Sequence, residues 1–381
     1  MWLTWRAAMQ EALYGRGGFY ARGECPAAHF RTSVHASPRY AAAVLDLLRD
    51  VDRSLGHPGR LDLVDIGAGR GELLTQVLIM ARRLPDDPAT PALAQRISPH
   101  AVDLTPRPAA LDGQIRWHRP VPPRITGPPR ITGPPRITGL VIANEWLDTI
   151  PLDVAELAGD GPRLVLVDPA TCAERPGPLA GAADQAWLRQ WWPLRRVGDR
   201  AEIGVPRCAA WADVVGRLEA GLALGADYGH VRTDRPAQGT LAGYRDGRPV
   251  RPIPDGSRDI TAHVAMDACA AAGAAAACAA AGAAATCAAA GATTACAAAG
   301  AGSAGTVRTL LTSQRAALRA LGLRGRRPPV ALAQADPAGY LAALRQASEE
   351  AELTDAGGLG AFSWLLQAVR VPLPAGLGCH G

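Results

Sequence analysis

The sequence predicts an α/β protein on a doubly wound, mostly parallel sheet. Residues 64–74 read VDIGAGRGELL, an apolar run, a glycine turn and a helical pattern in succession. Short apolar runs recur at 99–104 (PHAVDL), 140–144 (LVIAN) and 221–227 (GLALGAD), with helical patterns between some of them, as in 206–220. A polar residue, Asp65, Asp103, Asn144 or Asp227, falls at the end of each run. Ligands of open α/β sheets bind at the carboxyl ends of strands, so this placement points to one site.

The first element runs through Leu61, Leu63, Val64 and Ile66, turns at Gly67, Gly69 and Gly71, and enters a helix at Glu72. Glycines let a ligand approach the backbone and the helix N-terminus. A dinucleotide fingerprint, G-x-G-x-x-G, wants glycine where Glu72 stands. Asp65 lies two residues before the first glycine, where a carboxylate would pair with the ammonium of S-adenosylmethionine. Asp65 with Gly67, Gly69 and Gly71 therefore reads as an adenosylmethionine loop, with an ordinary strand-to-helix turn as the alternative. Asp103 ends the second run and is a candidate for the ribose hydroxyls, or for a simple turn cap.

At 381 residues the chain can bury a large core, in one big domain or two small ones. All 40 basic residues are Arg, and Asn occurs once, a bias expected of a GC-rich genome. The net charge of +5 is mild and no basic tract stands out, so no nucleic-acid partner is expected. No apolar run approaches a membrane span, and MWLTWRAAMQEALYG has no signal-peptide core. The eight cysteines include no CxxC pair; no metal and no disulfide framework is expected, and a reducing cytoplasm is the default location.

Residues 1–55 read as an N-terminal helical or lid segment, interrupted by YGRGGFYARG. Residues 56–267 read as the α/β core, with an inserted subdomain at about 151–205. Within the insert, DVAELAG and PRLVLVDP suggest a hairpin and AEIGV a further strand. PPRITG occurs three times across 122–139, as a Pro-rich surface loop. Residues 268–305 hold a nonapeptide repeat of Ala, Gly, Cys and Thr, and 306–381 return to the core. The repeat is expected to be a loop without chemistry, since its glycines oppose its alanines and successive cysteines would face opposite sides of a helix.

Several segments together resemble the MidA-type class I methyltransferase family, relatives of the mitochondrial complex I assembly factor that methylates arginine. They are ALYGRGGFYARG (12–23), FRTSVHASP (30–38), VDIGAGRGEL, IANEWLDTIPLDV (142–154), GDRAEIGV (198–205), DYGH (227–230), GTLAGYR (239–245), DITAHV (259–264) and LLTSQRAALRALG (310–322), the last matching a TQ-x-x-x-L helix. Ala28 and His29 stand where the family has Gly-Asp. The resemblance implies a Rossmann-like fold, S-adenosyl-L-methionine as cofactor, and a protein arginine as partner and methyl acceptor.

Methyl transfer needs donor and acceptor held in line and a place for the proton. Asn144 is the single Asn of the chain; its amide both donates and accepts, which suits a reacting nitrogen and a place beside the cofactor. Glu145 would hold a guanidinium in bidentate fashion, and Asp148, one helical turn on, would share that task. The alternative makes Asn144 a helix cap and Glu145 a solvated residue. Tyr228 would stack on adenine or substrate, or belong to the core. His263 is a proton acceptor or a structural histidine. Thr32 and Ser33 would close over the cofactor, or form a simple turn. Other function classes remain at this point: a dinucleotide oxidoreductase, a small-molecule methyltransferase, and an assembly or binding protein that keeps the fold.

Overall fold

The computed structural model describes residues 1–22, 32–85, 91–119, 132–282 and 307–377. Ala28, His29 and Phe30, the first PPRITG copy with most of the second, and the repeats beyond residue 282 lie outside the described residues.

The main sheet has seven strands, in the order Val307–Ser313, Ser363–Val369, Leu218–Asp227, Ile137–Asn144, Leu61–Ile66, Ile97–Val102 and Arg116–His118. The five strands from Leu218–Asp227 to Arg116–His118 are parallel, and Ser363–Val369 runs antiparallel to both its neighbours. The fold is therefore α/β with a mostly parallel sheet. Strand side chains alternate between two apolar layers. Leu61, Leu63, Leu140, Ile142, Leu222 and Leu224 pack with helices Pro38–Ser54 and Glu72–Ala81. Val64, Ile66, Val141, Ala143 and Ala223 pack with helices Val205–Gly216 and Met266–Ala280 on the other face. Covering on both faces explains why these strands read as unbroken apolar runs.

The insert forms a second sheet, ordered Leu3–Thr4, Gly161–Val167, Asp153–Ala158 and Arg200–Ile203, with Glu174–Leu179 paired to Gly161–Val167. Asp153–Ala158 and Gly161–Val167 make the expected hairpin. The first 55 residues divide between the two sheets. Helix Trp5–Tyr14 buries Trp5, Met9 and Leu13 against Val154, Val165 and Val167 of the insert. Helix Pro38–Ser54 instead buries Tyr40, Val44 and Leu47 in the core layer.

Two expectations need correction. The segment 310–322 is not one helix: Val307–Ser313 pairs with Ser363–Val369, and the helix begins at Gln314, capped by Ser313 Oγ, which accepts from Ala316 N at 3.2 Å. The repeat is not wholly a loop either. Its first copy lies in helix Met266–Ala280, with Cys269 and Cys278 both buried. Alanine favours the helix, and Gly273 sits where a side chain would strike Trp211 and Gln367. Among the described residues, no helix is long and apolar enough to cross a membrane.

Candidate active site

The polar residues singled out at strand ends fall on four neighbouring parallel strands. Register sets Asp65 between Ala101 and Ile142, and Asn144 beside Ala226. Asp103 follows Ile97–Val102 directly, and Asp227 closes Leu218–Asp227. One edge of the sheet thus collects them all.

The loop after Leu61–Ile66 is built on left-handed glycines, with φ of 76° at Gly67, 59° at Gly69 and 81° at Gly71. Gly67 N and Ala68 N donate to Val102 O at 2.9 and 3.3 Å, which ties the loop to the next strand. A Cβ on Gly71 would lie 2.7 Å from Leu111 Cδ1 and one on Gly67 3.2 Å from Trp146 Cδ1. Conformation and packing both exclude a side chain there.

Asp65 is 4% exposed and accepts no hydrogen bond from any described residue. Burial, helped by the charges of Asp103 and Glu72, pushes its carboxyl up to about 7. A buried carboxylate without a donor stabilises a cation brought to it. Asp103 makes turn contacts: Oδ1 accepts from Thr105 N at 2.8 Å and Thr105 Oγ1 at 2.7 Å. Its Oδ2 accepts from Gly69 N at 2.9 Å, so the same carboxylate fixes the glycine loop. Burial raises its pKa against those donors.

No helix follows Asn144, so Asn144 is not a helix cap and Asp148 is not one helical turn beyond it. The backbone donors are taken elsewhere. Glu145 N donates to Ala226 O at 2.8 Å, and Leu147 N and Asp148 N donate to Asp227 Oδ2 at 2.9 and 3.1 Å. Glu145 is left at φ 51°, a strained conformation for a side-chain-bearing residue.

The sequence-selected residues still meet. Asn144 Nδ2 donates to Glu145 Oε1 at 3.0 Å, and Ser33 N donates to the same oxygen at 3.2 Å. Burial, then the charge of Asp148, pushes Glu145 up to about 7. Asp148 is buried, its Oδ1 has no hydrogen-bond partner, and burial raises it to about 6 against the pull of Arg207. Ser33 is fully buried, with Oγ donating to Gln314 Oε1 at 3.2 Å, while Thr32 Oγ1 lies 2.7 Å from His35 Nδ1. Residues 32–36 therefore lie against the strand tips. Tyr228 is 39% exposed and stacks on His263, with ring centroids 5.6 Å apart, so it is not a core tyrosine. Burial and Arg207 hold His263 below the usual histidine range, favouring neutral imidazole.

Three further residues at this sheet edge were not singled out in the sequence. Tyr40 donates from its hydroxyl to Asn144 Oδ1 at 2.7 Å, yet on its helix it reads as ordinary core. Arg207, 1% exposed, donates to loop carbonyls at the same sheet edge and carries no motif. Asp259 accepts from Tyr20 Oη at 3.1 and 3.0 Å, and burial raises it to about 7. Its only sequence signal was membership of DITAHV.

Comparisons with known proteins bear on the fold and the family. A COG1565 superfamily member from Burkholderia thailandensis, in a crystal structure bound to S-adenosyl-homocysteine, superposes with a TM-score of 0.71 at 22% identity, covering 100% of this chain and 91% of that one. A native crystal structure of a COG1565 superfamily protein from the same organism gives the same values. Both show the shared fold. No curated protein matches the chain. Residues 44–284, more than half of the 381, match the family described as "Putative S-adenosyl-L-methionine-dependent methyltransferase", and the chain belongs to that family.

Proposed function

We propose that the protein methylates the guanidinium of a protein arginine, with S-adenosyl-L-methionine as the donor. The observation that carries this reading is the pair of carboxylates, half-buried Glu145 and buried Asp148, beside Asn144 at the edge of the sheet that also carries the glycine loop. A guanidinium is a planar cation that two such groups can hold and orient.

The residues present fit the cofactor. Asp65, buried and without a donor, would take its ammonium; Asp103 would accept from its ribose hydroxyls; Gly67, Gly69 and Gly71 leave the backbone open to it. When bound, it supplies a methyl group on a positively charged sulfur. The protein's own task is then positional. Asn144, held by Tyr40, keeps Glu145 in place. Glu145, close to neutral pH in its titration, is suited to receive the proton that the acceptor nitrogen gives up.

The test is incubation of a cell lysate with isotope-labelled methyl donor, with and without the protein, followed by mass spectrometry. Label on arginine side chains that depends on the protein is the expected result. Label confined to lysine or to small molecules overturns the proposal, as does no label.

A further inference from the structure

Arg207 lies in the first turn of helix Val205–Gly216, completely inside the protein. It makes no ion-pair contact among the described residues; every hydrogen bond it gives goes to a backbone carbonyl. Nε donates to Ile150 O at 3.2 Å, Nη2 to Asp148 O, and Nη1 to Ala262 O at 2.6 Å and His263 O at 3.1 Å. One planar fork therefore joins the loop after Asn144 to the loop carrying His263. Ala262 N also donates to Asp148 O at 3.3 Å, so the two loops form a single floor.

We propose that Arg207 is a positioning residue of the acceptor site, holding Asp148 and His263 in fixed relation through its four carbonyl contacts while its charge balances the buried carboxylates around them. The proposal rests on the methyl-transfer reading above. Arg207 opposes the upward shift of Asp148 and Asp227 and lowers His263. Asp148 also faces Glu145, Asp227 and Asp259 across the loops, and His263 faces Tyr228 and His230. The cation thus favours an ionised Asp148 and a neutral His263 on the two loops whose carbonyls it joins.

The test compares Arg207→Lys with Arg207→Met by three measurements: S-adenosyl-homocysteine affinity, arginine methylation in lysate, and the titration of His263 followed by NMR. Both variants should keep their affinity. Lysine keeps the charge without the fork, so turnover should fall about tenfold or more while the His263 titration stays in place. Methionine removes both, so the His263 midpoint should also rise, by about half a pH unit or more. Wild-type turnover in the lysine variant, or an unmoved His263 midpoint in the methionine variant, overturns the proposal. Loss of ligand binding in both variants marks a merely structural role and overturns it too. The NMR readout needs no methyl acceptor, so a wild-type protein that fails to methylate arginine counts only against the proposed function.

Discussion

The Tyr40 hydroxyl donates a 2.7 Å hydrogen bond to Asn144 Oδ1, joining a helix of the N-terminal segment to the tip of a central strand. Tyr40 is fully buried, with its ring edge-on to Trp364 at 6.1 Å. Tyr40→Phe leaves Asn144 Oδ1 unpaired, at a cost of about 1–3 kcal/mol in melts. The amide then turns and releases Glu145. The expected kinetic result is a fall in kcat on the order of tenfold with cofactor affinity intact. A kcat equal to wild type would show that the orientation of Asn144 does not matter to turnover.

Glu145 combines a strained backbone with a half-buried charge, and two substitutions separate them. Glu145→Gln keeps an oxygen to accept from Ser33 N and Asn144 Nδ2 but removes the negative charge. Cofactor binding should persist while KM for the acceptor rises about tenfold or more. Glu145→Gly relieves the φ of 51°, so its melting temperature should exceed that of Glu145→Gln while methyl transfer is lost. Equal melting temperatures would remove strain from the account.

The acidic site gives stability an unusual dependence on pH. Asp65, Glu145 and Asp259 are raised to about 7 and Asp148 to about 6. The folded state holds these protons more tightly than the unfolded one. Their contribution is full in acid, below the ordinary carboxylate range, and is lost as pH rises through about 6 to 7. Asp52, Asp62, Glu72 and Glu350 are lowered, so their contribution is present above the ordinary range and lost as pH falls further. The ligand-free protein should therefore melt at a higher temperature at pH 5 than at pH 8. S-adenosyl-homocysteine, whose ammonium needs an ionised Asp65, should stabilise more at pH 8 than at pH 5. Asp65→Asn should weaken that binding and flatten its pH dependence; an unchanged affinity would remove Asp65 from the cofactor site.

Much of the fold was legible because the signals were local. Asp65, Gly67, Gly69, Gly71 and Asn144 each sit in a short segment whose apolar pattern already ends a strand. What stayed hidden depends on pairing between distant segments. Val307–Ser313 and Ser363–Val369 declare themselves only to each other across the sheet edge. The turn after Asn144 looked like a helix start until Asp227 took its amide donors. Arg207 is one of 40 arginines, and nothing nearby in the sequence marks it as buried.

The first copy of the repeat offers the sharpest test of packing against composition. Gln367, fully buried, accepts from Trp211 Nε1 at 2.8 Å and donates to Ala270 O at 2.8 Å and Thr309 Oγ1 at 3.0 Å. Gly273 lies against this junction, where a Cβ would come 2.1 Å from Gln367 Oε1 and 2.8 Å from Trp211 Nε1. Glycine to alanine in an exposed helix gains about 1 kcal/mol from propensity alone. Here Gly273→Ala should lose about 2 kcal/mol or more, because the substitution must break a buried hydrogen bond or displace the helix. Ala275→Gly, at an exposed position of the same helix, should lose only about 1 kcal/mol. A rise in melting temperature for Gly273→Ala would mean that propensity outweighs the steric clash, and that helix Met266–Ala280 is not seated on the sheet through Gln367.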